Sequence, residues 1–241
     1  MPLLGEAVMV LWYDITPDAI SEHDDWHTHE HMPERLAIPG FVRGTRWVSL
    51  SGSPRYFVMY EVKDVGILTS APYLDRLNSP TPWTTKMMTC FRGMTRGFCC
   101  IKSSFGLGVG QVLLSIRLSP VPGAESLLRE WLTERVLPGL SSRPGLASAH
   151  LLEAALAPQM TQEQEIRGKD AAVNWVLLVT GYSSDGVMSL SDKELRGETV
   201  AKHGGLRGQV AGIYRLEFSL TDREAATAPL HGAARGHEQL S

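Results

Sequence analysis

Two Pro-Gly pairs, Pro39-Gly40 and Pro144-Gly145, lie 105 residues apart, and each ends a helix-compatible stretch that precedes a strand-like one. Proline disfavours the helical conformation in the residue before it, so each pair marks the end of a helix. Around each pair the sequence has the same order of elements, β-α-β-β-α-β, which is the ferredoxin-like unit. One such unit leaves a face of its sheet uncovered, and a second unit can cover it. The repeat therefore predicts an α+β fold in which two ferredoxin-like units of one chain form a barrel.

The element order also predicts the domain boundaries. The first repeat is expected over residues 1–105 and the second over 106–220, with a mobile tail at 221–241 because that segment has no apolar period. The second repeat carries a polar insertion, PQMTQEQEIRGKD (158–170), between two of its strands.

Composition narrows the choice of partners and compartment. With 23 Lys and Arg against 26 Asp and Glu, the chain has no basic field to attract nucleic acid. Its apolar N-terminal run ends at Asp14, too short for a membrane span, and it lacks the features of a signal peptide. The three cysteines are an odd number and imply no disulfide framework. A cytoplasmic protein that binds no membrane is expected.

Four of the eight histidines lie within nine residues, in the stretch HDDWHTHEH (23–31). On a helix His23, His27 and His31 lie on one face, because residues four apart are neighbours there. Three interpretations are open. His27, His31 and Asp24 could hold a divalent metal; the imidazoles could form a metal-free acid/base site; or they could form a solvated helix face.

The acid/base interpretation needs the fewest groups. His31 is the best placed general acid or base, because it precedes Met32-Pro33 and the apolar Leu36, where the helix should approach the core. His27 lies one turn earlier. Glu30 could orient a neighbour or pair with Arg35, whereas His23 is expected to lie outside the site, near the solvated start of the helix.

The same stretch carries a family resemblance. The segment WHTHEHMPERL (26–36) and the following IPGF (38–41) resemble the W-[HY]-x-x-E-H-x-P-x-R-L…PGF signature of EthD-like proteins, which belong to the dimeric α+β barrel superfamily. Further matches are Arg46-Trp47, the strand at 56–62, Ala71-Pro72-Tyr73 and TPWT (81–84), so that the resemblance covers residues 6–102. It implies that Glu30 and His31 are the transferable pair. The second repeat has no Glu-His pair, which predicts one active pocket, in the first repeat.

The resemblance implies a function class that its motifs specify weakly. The superfamily includes cofactor-free monooxygenases, isomerases, cyclases and haem-binding enzymes. We expect a cofactor-independent lyase, isomerase or cyclase acting on a small aromatic-derived or lactone-like substrate in the barrel cavity, with His31 as general base or acid and His27 or Glu30 assisting. A haem- or metal-dependent oxidoreductase or dehydratase and a non-catalytic small-ligand-binding barrel are the alternatives.

Several other residues are expected around the substrate. Arg46, like Arg43 on the same strand, could meet a substrate carboxylate, and His150 of the second repeat could face the cavity from the other side. A homodimer through the outer helices is also expected. The predicted aromatic wall of the pocket consists of Trp12, Tyr13, Trp47, Tyr60, Tyr73 and Trp83.

Overall fold

The computed structural model describes residues 2–157 and 159–227. The strands are β1 (Ala7–Ile15), β2 (Phe41–Ser49), β3 (Tyr56–Val62), β4 (Phe91–Gly106), β5 (Val112–Leu118), β6 (Leu146–Leu156), β7 (Ala171–Ala172), β8 (Trp175–Gly181) and β9 (Val210–Thr221). The α-helices are α1 (Ile20–Trp26), α2 (Met32–Leu36), α3 (Ala71–Leu77), α4 (Pro82–Met88), α5 (Glu125–Glu130), α6 (Leu137–Ser141), α7 (Gln162–Arg167), α8 (Ser184–Asp192), α9 (Gly197–Lys202) and α10 (Asp222–Thr227). Two π-helical turns, His27–His31 and Trp131–Val136, join α1 to α2 and α5 to α6. Two 3-10 turns cover Pro17–Ala19 and Val65–Thr69.

The strands form one closed barrel, as the repeat predicts. The first half has the strand order β4-β1-β3-β2 and the second half has the corresponding order β9-β5-β8-β6. Both junctions between the halves are antiparallel: β2 pairs with β9 (Thr45 opposite Ser219) and β4 pairs with β6 (Cys100 opposite Glu153). The two sheets therefore face each other and are also hydrogen bonded along both edges, which leaves eight strands without a free edge in the barrel wall. The short strand β7 is added beside β4.

Alternation along each strand separates the barrel interior from the outer layer, because successive strand side chains point to opposite faces. In β1, Trp12 faces inward, whereas Met9 and Tyr13 pack outward against the helices. In β2, Trp47 likewise faces inward. Side chains from both halves fill the interior, among them Val8, Val10, Trp12, Trp47, Phe57, Cys99, Leu113, Leu152, Val176, Leu178 and Tyr214.

The helices cover the outer faces and end where the sequence predicts. Gly40 and Gly145 follow the two helix-ending prolines with φ values of 99° and 91°, a conformation that residues with a Cβ rarely adopt. Each half has its own apolar layer between helices and sheet, centred on Trp26 in the first half and on Leu132 in the second. No helix in the described ranges is long and apolar enough to cross a membrane.

Three local features differ from the sequence prediction. The stretch NSPTPW (78–83), whose two prolines predict a loop, leads directly into α4. Pro82 is tolerated in the first turn of a helix, and the Thr81 hydroxyl caps the helix by accepting from the Thr84 backbone amide at 2.9 Å. The polar insertion contains α7 and is folded against the first half. The segment expected to be a mobile tail begins with the end of β9 and with α10, and residues 228–241 lie outside the described residues.

Candidate active site

One face of the first helical segment carries four buried polar side chains at intervals of four residues, namely His23, His27, His31 and Arg35. In a regular α-helix, four residues exceed one turn by about 40°. The π-helical turn His27–His31 has more residues per turn and keeps these side chains closer to one line. This row of four side chains, His23, His27, His31 and Arg35, is called the polar line below. It packs on the outer face of the first-half sheet, beside Tyr13, Tyr56 and Tyr60. The histidines therefore lie outside the barrel, between helix and sheet, and the expectation that they open into the barrel cavity is wrong.

His23 belongs to a closed hydrogen-bond network. Its Nε2 lies 3.1 Å from the Tyr13 hydroxyl and its Nδ1 lies 3.0 Å from Asp24 Oδ1, which also accepts from the Tyr56 hydroxyl at 2.7 Å. Burial lowers the pKa of His23, although the hydrogen bond to Asp24 acts in the opposite direction. Both ring nitrogens have partners and the residue is fully buried, so His23 supports the fold and does not lie at a solvated helix start.

His27 and His31 are bonded less completely. The Nε2 of His27 lies 3.3 Å from the Tyr60 hydroxyl, and the ring of His31 packs against that of Trp26 with centroids 4.3 Å apart. The Nδ1 atoms of both histidines are buried and have no hydrogen-bond partner among the described residues. Burial and the nearby Arg46 hold the pKa of His27 well below 6.5, and burial with Arg35 does the same for the pKa of His31. Both imidazoles are therefore neutral at pH 7 and can accept a proton.

A cavity of about 30 Å3 lies against these two histidines. This volume is enough for about two water molecules. Tyr13, Tyr60 and Tyr73 of the predicted wall contribute to it, and burial raises the pKa of all three phenols, so all three are neutral. Most of the remaining lining is apolar and comes from strands and from the ends of α3 and α4, namely Met9, Leu11, Val58, Leu77, Met88, Phe91 and Met94.

Charged residues that the sequence analysis does not predict line the far end of the cavity. Arg35 donates from Nη2 to Glu163 Oε1 at 2.5 Å, and Arg96 and Arg167 both contact Asp170, at 2.8 and 2.9 Å. Arg35 could have been found, because it continues the spacing His27, His31 by one more turn. Glu163, Arg167 and Asp170 come from the insertion of the second half, where no periodic pattern relates them to the first.

Other predicted residues lie away from this cavity. Trp12 and Trp47 face the barrel interior because of strand alternation, and His150 is also inside, bonded to Ser104 and Ser148 at 2.9 and 3.1 Å. The prediction that Trp12 and Trp47 line the pocket is therefore wrong, and His150 does not share a cavity with His31.

Glu30 and Trp83 lie on the helix side of the first half. Glu30 accepts from the hydroxyls of Thr81 and Thr84 at 2.6 and 3.2 Å, and does not pair with Arg35. The indole of Trp83 donates to Glu22 at 3.2 Å. Neither side chain lines the cavity.

The arginines predicted to bind a carboxylate are already paired within the protein. Arg46 donates to Glu217 at 2.8 Å, and Arg43 donates to Glu61 at 2.6 Å. Arg46 still lies close enough to the cavity to influence the pKa of His27.

The arrangement does not fit the alternative metal and haem ligand sets. Asp24 is turned towards His23 and Tyr56 and does not converge with His27 and His31, and no group of three donor side chains able to hold a metal occurs in residues 2–157 and 159–227. In the conformation of this structure the cavity beside the histidines has room for about two waters and none for a haem.

The chain resembles solved structures in shape. An anthrone oxidase-like protein superposes on it with a TM-score of 0.64 and 11% identity, over 93% of this chain and 96% of that protein. The chain has the ferredoxin-like α+β barrel fold. Candidate monooxygenases from Fusobacterium nucleatum subsp. nucleatum and Lactobacillus acidophilus give TM-scores of 0.56 and 0.54 at 6% and 9% identity, covering 91% and 90% of this chain and 96% of each of theirs. No protein-family model and no curated protein sequence matches the chain. At such identities the α+β barrel likeness concerns the fold alone.

Proposed function

We propose that the protein is an enzyme that needs no metal or organic cofactor and transfers a proton to or from a small, partly aromatic or lactone-like substrate. The reaction takes place in the cavity between the first helical segment and the outer face of the barrel. His31 is the general base. It is assisted by His27 and by the Tyr60 hydroxyl, which lies beside His27. The observation that carries this proposal is the pair of buried, neutral imidazoles whose Nδ1 atoms have no partner in the described part of the chain.

A comparison of the two halves supports the proposal. His31 and Val136 each end a π-helical turn, and each precedes by two residues a proline, Pro33 or Pro138. Moving 105 residues along the chain from His23, His27, His31 and Arg35 leads to Leu128, Leu132, Val136 and Leu140. The second half thus packs the same helix face with aliphatic residues. The fold does not require the polar line, which is costly to bury and therefore points to a functional role.

The chemistry follows from the charge states. A neutral His31 takes a proton from an acidic C–H or O–H group of the substrate, and the electron pair stays on the substrate as an enolate or phenolate. The imidazolium then returns the proton to a different atom, which gives isomerisation, or to a leaving group, which gives elimination. The low pKa favours rapid return of the proton, because the buried imidazolium is poorly stabilised.

We also infer that the chain is a tandem-duplicated EthD-like protein with one active pocket. The Glu-His pair of the resemblance is present only in the first half of the sequence, and among the residues that the structure describes only the first half has a line of buried polar side chains facing a cavity. In this structure His31 fits the catalytic role of that pair. Glu30 fits a positioning role, because it bonds to Thr81 and Thr84 of α4.

Proton abstraction can be measured without knowing the natural product. The protein is incubated in D2O with carbon acids of the proposed class (anthrone, 2-tetralone and a β,γ-unsaturated butenolide), and deuterium incorporation is followed by proton NMR. We expect exchange above the buffer rate with at least one compound, and a loss of about 100-fold in His31→Gln. His203→Gln is the matched control, because His203 packs on Trp131 in the second half, away from the cavity. Exchange by His31→Gln at the rate of the unchanged protein would contradict the proposal, and ligand binding without exchange would favour a binding barrel.

A homodimer remains a prediction. The barrel is closed within one chain, so a partner is not needed for the fold. The second-half helices expose Leu127 and Met188, which are suited to a contact between two copies. Sedimentation of the protein as a 26.5 kDa monomer would refute it.

A further inference from the structure

We propose that the cavity binds a small organic anion, a carboxylate or a phenolate, whose negative oxygen takes the place of the Glu163 carboxylate on Arg35. The inference rests on the proposed function for the location of the site, and it adds the class of substrate. Glu163 is then an internal occupant that the substrate displaces.

Arg35 is a buried cation with unused bonding capacity. Only 2% of its surface is exposed, and Glu163, its partner, is 3% exposed. The ion pair is made through Nη2 alone, and Nη1 is buried with no hydrogen-bond partner among the described residues. A guanidinium matches a carboxylate best through two parallel hydrogen bonds. A substrate carboxylate at this place could accept from both nitrogens, which Glu163 does not.

The charge balance around the cavity favours an anion. Among the described residues, three guanidiniums (Arg35, Arg96 and Arg167) form their ion pairs with two carboxylates, Glu163 and Asp170. Asp170 is shared between Arg96 and Arg167, whereas Arg35 forms its ion pair with Glu163. When Glu163 is withdrawn, the buried charge of Arg35 is uncompensated, and an entering anion restores the balance.

Glu163 comes from the part of the chain that distinguishes the two halves. In the first half β2 and β3 are joined directly by residues 50–55, whereas β6 and β8 in the second half are separated by residues 157–174. The longer connection carries α7, which reaches across to the first half. The backbone N–H of Gln162 donates to Asn78 Oδ1, and Arg167 contacts Met88. The insertion therefore covers the one pocket that has the polar line.

The cavity size requires this cover to move. A space of about 30 Å3 accepts water but no ring-containing substrate. Outward movement of Glu163 with α7 would join the space it leaves to the apolar wall of Met88, Phe91 and Met94, where a ring can pack. The substrate predicted by this geometry is an aromatic or alicyclic acid, with its charge on Arg35 and its ring against the apolar wall, near the imidazoles.

Binding of 1-naphthoate, compared with the neutral 1-naphthamide, tests the proposal by isothermal titration calorimetry on the full chain. Glu163→Gln should bind naphthoate about tenfold or more tightly than the unchanged protein, because the competing carboxylate no longer reduces the fraction of binding-competent molecules. Glu165→Gln is the matched control, because Glu165 lies on the same helix but is exposed, and it should change nothing. Naphthamide should bind weakly to all three proteins.

A second test uses a variant that is designed to remain folded. Arg35→Leu alone would leave the Glu163 carboxylate buried without its partner, so Arg35→Leu is combined with Glu163→Gln. Leucine is chosen because Leu140 is the counterpart of Arg35 in the second half. The double variant should unfold cooperatively and lose the naphthoate binding gained in Glu163→Gln. Equal naphthoate affinity in Glu163→Gln and the unchanged protein, or retention of the gain in the double variant, would overturn the proposal. If naphthoate binds with these relative affinities but no histidine-dependent deuterium exchange is found, the anion site is supported and the proton-transfer function is rejected.

Discussion

The imidazoles of His27 and His31 lie with their ring centroids 5.6 Å apart, and each buries an Nδ1 atom without a partner among the described residues. A buried polar atom that has lost water and gained no hydrogen bond costs about 1–3 kcal/mol. Two buried imidazoles whose Nδ1 atoms have no protein partner should stabilise the fold less than packed aliphatic side chains would, and the same atoms are those available to a substrate. Removing these two imidazoles should therefore raise the free energy of unfolding and abolish the activity.

Replacing the pair with the residues of the second half tests this opposition. His27→Leu combined with His31→Val should raise the free energy of unfolding by about 1–2 kcal/mol, because two unsatisfied buried groups are removed. The same variant should lose histidine-dependent deuterium exchange. Urea unfolding followed by tryptophan fluorescence gives the stability. A lower unfolding free energy in the variant would show that the imidazoles contribute packing or hydrogen bonds that the aliphatic side chains do not replace.

The stability of the unchanged protein should fall as the pH is lowered below about 6.5. Burial holds the pKa of His27 and of His31 well below 6.5, whereas in the unfolded chain both titrate near that value. Below pH 6.5 the unfolded state therefore binds more protons than the folded state, and the unfolding free energy decreases by up to about 1.4 kcal/mol per pH unit for each such histidine.

The double variant provides the control for this pH dependence. Urea titrations at pH 7.5, 6.0 and 5.0 should give a shallower decrease for His27→Leu/His31→Val than for the unchanged protein. Some decrease should remain, because burial also lowers the pKa of His23, and lowers that of His150 to about 3. Equal slopes for the two proteins would contradict the assignment of neutral, buried imidazoles at positions 27 and 31.

His23 should behave as a structural residue. His23→Ala removes the partner of the Tyr13 hydroxyl and one partner of Asp24, and leaves a cavity in a fully buried site, so the unfolding free energy should fall by about 2–4 kcal/mol. Asp25→Ala, at an exposed position of the same helical segment, is the comparison and should change the unfolding free energy by less than about 0.5 kcal/mol. Thermal unfolding by circular dichroism measures both, and a similar small effect in the two variants would be the contrary result.

The sequence predicts the barrel well because the fold depends on repeated local patterns. The Pro-Gly pairs, the strand alternation and the helix spacing are each encoded within a few residues and recur in the second half. The offset is 105 residues up to the insertion and 119 residues beyond it, as the starts of β3 and β8 show (Tyr56 and Trp175). The i, i+4 spacing likewise places His23, His27 and His31 on one face. Local patterns do not say on which side of a sheet that face packs, which is why the site was expected inside the barrel.

The charged end of the cavity depends on contacts that no local pattern encodes. Arg35 and Glu163 are 128 positions apart, and Glu163 lies in a polar insertion with the composition of an ordinary surface loop. Trp12 and Trp47 were assigned to the pocket because aromatic residues suit a substrate wall. Strand alternation, applied outward from Met9 and Tyr13, would have placed Trp12 in the barrel interior.

Glu30 should support the site through its position and should not transfer protons. Its carboxylate accepts from Thr81 and Thr84 and so holds the start of α4 against the helix that carries His27 and His31. In Glu30→Gln the acceptor oxygen remains but its charge is lost, so the unfolding free energy should decrease by about 1 kcal/mol, in line with the greater strength of hydrogen bonds to ionised groups. Deuterium exchange should stay within about threefold of the unchanged protein at every pH from 6 to 9, because no group that meets the substrate has changed. A loss of exchange as large as that of His31→Gln, without loss of stability, would instead place Glu30 in the proton transfer itself.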